Sequence, residues 1–220
     1  MKNIPVFMSP GGTASLILHE IPHRAVGYVR LLTVRQLDVL LADCAAFCRD
    51  CGAGTVLASR GPEPLEGLPH AHDMLLLRAE KASLPPPARP VTLRPMDERN
   101  DAIYQRTYNR CFSQVPGALT YDRAEIRRIY DRGQQAFLAV DERENVLGMG
   151  ELHGSELAAV GVLPEFRGQG TGRELVLSLL ERCPGPEIHL TAASVNEAAL
   201  ALYDALGFTV YDCISRWYEV

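Results

Sequence analysis

Between Val160 and Arg173 the chain reads Val160-Gly161-Val162-Leu163-Pro164-Glu165-Phe166-Arg167-Gly168-Gln169-Gly170-Thr171-Gly172-Arg173. An apolar run ends at a proline, glycine then recurs at every second position, and a helical pattern begins. No other stretch narrows the fold as much. Gly168, Gly170 and Gly172 let the main chain curl with its amides turned inward, because no Cβ stands in the way. Those amides and the positive end of the following helix make an anion site, and Arg167 and Arg173 add charge beside it. A diphosphate is the natural occupant. Strand, turn and helix in that order also require a crossover to the next strand, which makes this a mixed α/β protein.

Two other phosphate loops do not fit. A nucleotide-binding Walker loop needs Lys-Ser or Lys-Thr after its last glycine, and here Arg173-Glu174 follows. A dinucleotide loop has the spacing Gly-x-Gly-x-x-Gly and sits on the first strand of its domain. This one is Gly-x-Gly-x-Gly and arrives midway.

The loop belongs to the second of two parts. In Leu84-Pro85-Pro86-Pro87-Ala88-Arg89-Pro90, four prolines within six residues remove backbone donors and stiffen the chain. Residues 85-90 therefore read as a linker between an N-terminal part, 1-84, and a C-terminal domain, 91-220. In the latter, Val91 to Pro95 is a short strand, Asp97 can cap a helix to about Cys111, and a second helix covers about Arg123 to Arg132, ended by Gly133. Strands follow at Ala136 to Val140, Val146 to Leu152 and Glu156 to Leu163. After the glycine-rich turn come a helix from Arg173 to Cys183, a strand from Ile188 to Ala193, a helix from Asn196 to Leu206 closed by Gly207, and a hairpin from Phe208 to Val220. The order is βααβββαβαββ, a mixed, mostly antiparallel central sheet flanked by helices. The N-terminal part reads as ββαββ, with strands at Ser15 to Ile21, Ala25 to Thr33, Thr55 to Ser59 and Met74 to Glu80, and a helix from Gln36 to Cys51. That order parallels Val146 to Val220 with the last helix lost, but Leu32 to Gln36 stands where the glycine-rich turn would be, without a glycine.

Composition excludes several classes. The formal charge is -5 and the pI about 5.7, which sets nucleic acid aside as a partner. No segment approaches the ~20 apolar residues of a membrane helix. The N-terminus is cut by Pro5, Pro10 and Gly11-Gly12 and does not read as a signal peptide. The expectation is a cytoplasmic protein with no membrane partner. Cys44, Cys48 and Cys51 share one helix face, and no nearby Cys or His pair has zinc-type spacing. They read as small buried thiols, and no metal is expected.

Arg167-Gly168-Gln169-Gly170-Thr171-Gly172 closely resembles motif A of the GNAT superfamily, Arg/Gln-x-x-Gly-x-Gly/Ala. Asn196-Glu197-Ala198-Ala199-Leu200-Ala201-Leu202-Tyr203-Asp204-Ala205-Leu206-Gly207-Phe208 resembles its motif B, Asn-x-x-Ala-x-x-x-Tyr-x-x-x-Gly-Phe. The likeness covers about 91 to 220, in order, and the N-terminal part resembles a degenerate half of the same kind.

What the resemblance implies is a sheet of GNAT type and acetyl transfer from acetyl-CoA, a cosubstrate, to an amine of a small molecule or peptide. The main chain of Val160, Gly161 and Val162 would pair with the pantetheine arm. The amides of Gly168, Gln169, Gly170, Thr171, Gly172 and Arg173, with Arg167 beside them, would hold the pyrophosphate, and Asn196 would contact the CoA arm or serve as a helix cap. An amide near Val162 is the expected oxyanion donor and Tyr203 the general acid. The base is open between Glu156, Glu151 and a water chain. Period-two geometry puts Glu156 on the face of Ala158, Val160 and Val162. The resemblance places the acceptor among Asp97 to Arg132 and Val210 to Trp217, with Tyr104, Tyr108, Tyr121, Asp122 and Trp217. His153 and His189 read as ordinary hairpin and strand residues. Whether the N-terminal part walls that pocket, extends the sheet or makes a homodimer contact stays open, as does a noncatalytic acyl-CoA-sensing module on the same fold.

Overall fold

A glycine pair turns the first hairpin. In the computed structural model, which describes residues 4–220, β1 (Val6–Ser9) and β2 (Gly12–Ile17) pair antiparallel about Gly11 and Gly12. Gly12 has φ +141°, and a Cβ there would stand 2.1 Å from the Thr33 carbonyl oxygen, so no other residue fits without a shift. A short helix, α1 (Ile21–Arg24), leads to β3 (Val26–Val34), α2 (Leu37–Asp50) and β4 (Thr55–Ser59). β2 pairs antiparallel with β3, and β3 parallel with β4 from Val26↔Thr55 to Arg30↔Ser59. One face of these strands takes the apolar stripe of α2, with Leu40, Cys44 and Cys48 buried among Ala14, Leu16 and Val29. Burial pushes the thiols of Cys44 and Cys48 up to about 11, so they remain protonated packing groups, while Cys51 is exposed just beyond the helix. The Gly11 carbonyl accepts from the amides of Arg35 and Gln36 at 2.8 and 3.0 Å. The chain's own carbonyl thus occupies the start of α2, the place that matches the glycine-rich turn in element order. Strand β1 was not foreseen, because Val6 to Ser9 is too short to show a period.

After β5 (His70–Glu80) the second part begins with β6 (Thr92–Pro95). Asp97 accepts from the amides of Arg99 and Asn100 and so caps the turn ahead of α3 (Asp101–Phe112), whose own cap position is Asn100. Asp122 opens α4 (Arg123–Asp131) by accepting from Ala124 and Glu125. Then come β7 (Gln135–Val140), β8 (Val146–His153), β9 (Glu156–Val162), α5 (Thr171–Leu180), β10 (Glu187–Ala193), α6 (Glu197–Ala205) and β11 (Thr209–Glu219). Five of the strands lie in the order β10-β9-β8-β7-β6, parallel at β9–β10 and antiparallel elsewhere. Helices cover both faces. A Cβ on Gly150 would meet Leu179 of α5 at 2.3 Å, and one on Gly161 would meet Cys111 of α3 at 2.6 Å. Leu175, Val176, Leu177, Leu179 and Leu180 of α5 are buried, each contributing roughly 1.5–3 kcal/mol.

Three expectations change. Phe208 to Val220 contains no hairpin but one strand, β11; no glycine or proline interrupts it. The chain divides into two compact units, one of residues up to Leu75 with Cys213–Val220 and one of Leu76–Asp212. The proline-rich stretch therefore lies inside the second unit, tied to α5 by Arg89 N to Glu174 Oε2 (2.9 Å) and Val91 N to Ser178 Oγ (3.0 Å). Trp217 falls in the first unit, edge-on to Tyr28. Third, the β8–β9 register jumps between Glu151↔Ala159 and Leu152↔Leu157, a bulge that leaves Ala158 unopposed. A bulge reverses the alternation. Glu156 therefore lies on the α3 face with Ala159 and Gly161, opposite Val160.

Candidate active site

A cleft of about 280 Å3 opens where β9, the start of α5 and the start of α6 meet. Its lining includes Val160, Gly161 and Val162 from β9, Arg167, Gly168 and Gly172 from the turn, and Asn196 and Tyr203 from α6. Cys111, Phe112 and Val115 wall it on the α3 side.

The cleft exists because two strands part. Among the described residues β9 and β10 share only His189↔Glu156 and Leu190↔Leu157, so there, beyond Leu157, the edge of β9 away from β8 has no strand partner. That edge could take an extended amide-bearing arm in the manner of an added strand, although the Val162 carbonyl already accepts from Arg167. Gly161 is required by α3, since a Cβ there would overlap Cys111.

At the head of the cleft, Gly168 and Gly170 have φ +73° and +83°, and a Cβ on either would meet nothing within 4 Å. Their glycines serve conformation, not space. Gly170 caps α5, and the first main-chain donor into that helix is Glu174, to Gly170 O. Among the described residues, the amides of Gly168, Gln169, Gly170, Thr171, Gly172 and Arg173 have no acceptor within the protein. Unmatched donors at a helix N-terminus, with the helix dipole behind them, are the elements from which an anion site is built. Gly172 also lines the cleft, and a Cβ there would make only ordinary contacts with Leu202 and Val162.

Arg167 is differently employed than its charge suggested. Its Nε donates to Val162 O at 2.9 Å and its Nη2 to Cys111 O at 3.0 Å, so it ties the end of β9 to the end of α3. Arg173 makes a 3.4 Å contact with Glu174. Asn196 caps α6, accepting from Ala199 N at 3.4 Å, while lining the cleft.

Tyr203 lines the cleft with its ring against Phe208. Its hydroxyl has no protein partner among the described residues. Burial holds the phenol above its ordinary value, so it keeps its proton through the neutral range. Cys111, the thiol in the cleft wall, is pushed up to about 12 by burial and supplies almost no thiolate to compete with an incoming nucleophile.

The two candidate bases differ. Glu156 is exposed at the far end of β9, four strand residues or ~13 Å from Val160, and is absent from the cleft lining. Glu151 stands opposite Ala159, next to Val160, and is 2% exposed. It accepts from Tyr104 Oη at 2.6 Å and Tyr121 Oη at 3.1 Å. Burial raises its carboxyl above the ordinary value, against the lowering effect of those two hydrogen bonds. Patterning alone could not find this cluster, because its members lie on α3, β8 and the α3–α4 segment.

A raised carboxyl makes a signed prediction. Glu151 favours the folded state most below its unfolded value near ~4.3 and progressively less as pH climbs through its folded value. The difference in melting temperature between Glu151→Gln and the native chain should therefore shift toward the variant from pH 5 to pH 8. A difference that is flat across a calorimetric pH series would contradict the buried-charge assignment.

The family model described as "Acetyltransferase (GNAT) family" matches residues 100–208. A mycothiol acetyltransferase from Amycolatopsis mediterranei is 33% identical over 90% of this chain and 72% of its own length. The N-alpha-acetyltransferase RimI of Mycobacterium tuberculosis is 38% identical over 30% of this chain and 41% of its own. The chain thus spans less than half of RimI, and other mycothiol acetyltransferases are matched over 18% and 54% of their lengths. A tandem GNAT protein from the clavulanic acid biosynthesis pathway shares the fold over 97% of this chain and 81% of its own, with a TM-score of 0.55 at 17% identity. Among the described residues no helix is long and apolar enough to cross a membrane.

Proposed function

This chain belongs to the acetyltransferase (GNAT) family, and we propose accordingly that it moves an acetyl group from acetyl-CoA to a primary amine, with both substrates bound at once. The observation that carries the reading is the set of unpartnered amides from Gly168 to Arg173 at the head of the cleft lined by Tyr203. These amides would hold the pyrophosphate, the open edge of Val160 to Val162 the pantetheine arm, and Asn196 the same arm at the start of α6.

The amine nitrogen attacks the thioester carbonyl carbon, a C–N bond forms, and the C–S bond breaks. An amide near Val162 would donate to the oxyanion, where fixed donors are most effective. The proton leaving nitrogen would reach Glu156 through water, since Glu156 is exposed on the α3 face and too distant for direct contact. Tyr203 would donate its hydroxyl to the departing sulfur. A phenol raised by burial is a weaker acid than a thiol at about 8.5. Transfer is therefore uphill unless the proton is replaced as it leaves, and Tyr203 acts first as a hydrogen-bond donor to the thiolate. The alignment with a mycothiol acetyltransferase over most of this chain favours a small-molecule acceptor over a peptide.

The test is an acceptor screen with acetyl-CoA, following thiol release over amino acids, amino sugars, polyamines, aminoglycosides and peptides. Release with at least one small amine, at rates well above hydrolysis, is expected. Cofactor binding without release from any acceptor would instead favour the noncatalytic acyl-CoA sensor.

A further inference from the structure

Of the buried carboxylate and imidazole side chains among the described residues, Glu20, His72 and Glu151, only Glu151 is bonded to residues of the α3 side of the cleft. Glu151 sits beneath α3 with both carboxylate oxygens engaged, one by Tyr104, which is fully buried, and one by Tyr121, which is half-buried. Tyr121 lies near the end of the segment 113–122 that joins α3 to α4, and it is held by more than that hydroxyl. Asn109 accepts from its amide at 2.7 Å and donates to its carbonyl at 2.9 Å, and Gln105 donates to the same carbonyl at 2.8 Å. Its ring lies flat on Tyr108, with centroids 3.5 Å apart and planes 6° from parallel. Tyr108 in turn packs on Phe112 at 4.5 Å. Phe112 lines the cleft, and so does Val115 from the segment itself.

The geometry points to Glu151 as the positioning residue of the acceptor side: through the Tyr121 hydroxyl it holds the segment 113–122, and with it Val115, against the cleft. This rests on the cleft being an acetyl-transfer site, where the cofactor runs along β9 and the α3 side remains for the amine. The anchor responds to charge. Ionised, Glu151 accepts two charge-assisted hydrogen bonds, roughly twice as strong as neutral ones. Protonated, it keeps full acceptor strength on neither oxygen. Tyr104 has nowhere to go within its packing, so Tyr121 is the partner that loosens. The groups facing Glu151 are Tyr104 from α3, Tyr121 from the joining segment and, at longer range, Glu125 from α4, which is itself paired with Arg128; Tyr108 backs Tyr121. No basic side chain adjoins the carboxylate in this set, so its ionisation is governed by burial and the two phenols.

The experiment measures acceptor KM, kcat and acetyl-CoA Kd for the full chain, Glu151→Gln and Tyr121→Phe between pH 5 and pH 9. Each variant is expected to raise acceptor KM roughly ten-fold at pH 8, the size of one lost hydrogen bond to a charged group. The kcat and acetyl-CoA Kd should stay within about two-fold. The ratio of variant to native KM, in which the ionisation of the amine cancels, should fall toward one as pH drops through the titration of Glu151. A ratio that is flat in pH, or an equal loss in acetyl-CoA affinity, overturns the assignment in favour of a general packing role. Should the native chain acetylate no amine, the function reading fails separately. Hydrogen exchange then decides the anchor: faster exchange confined to residues 113–122 in Tyr121→Phe is expected, and unchanged exchange there refutes it.

Discussion

Gly170→Glu is expected to abolish the rise in melting temperature that millimolar acetyl-CoA gives the native chain. Acetyl-CoA at a hundred times its Kd stabilises a protein by about 2.7 kcal/mol, which for a chain of this size is a shift of roughly 5–10 °C. Gly170 stands at φ +83° as the cap of α5, where any side chain adopts a left-handed conformation at a cost of about 1–2 kcal/mol. That strain lowers the melting temperature of the free protein. The second effect falls on binding: a carboxylate beside the unpartnered amides would compete for the donors assigned to the diphosphate and would repel its charge. Gly170→Ala separates the two, since it carries the strain without the charge and should keep part of the shift. A full cofactor shift in Gly170→Glu would remove the phosphate from this turn.

The second large effect is catalytic. Tyr203→Phe is expected to lower kcat by about 10²-fold or more, the usual contribution of a positioned proton donor, while the acetyl-CoA shift stays intact. The ring packs against Phe208, and phenylalanine preserves that contact, so stability should change little. Loss of the shift together with the rate would make Tyr203 a binding residue. A rate unchanged from native would place the proton donor elsewhere.

The features legible in advance were the local ones. The strand–glycine–helix order at Val160 to Arg173, the cap Asn196 and the stripe of leucines in α5 all depend on residues within a few positions of one another. Their conformational preferences act whatever the remainder of the chain does. Arg167 shows the limit of such reading. Charge and position made it a phosphate ligand, but two carbonyls at the ends of β9 and α3 took its guanidinium. Glu156 shows another. Alternation put it with Val160, and one unopposed alanine turned it to the other face.

The sequence by itself determined that there would be a glycine turn at the head of a helix, followed by an asparagine-capped helix carrying Tyr203. Glycine geometry and helical period suffice for that. Only the tertiary structure decided that β9 and β10 part after two residue pairs to open the cleft, that β11 runs unbroken, and that Glu151 is buried between Tyr104 and Tyr121. Those outcomes depend on strand register and on contacts between residues 30 to 50 positions apart, and the energy of a buried charge is set by neighbours that only the folded chain brings to it.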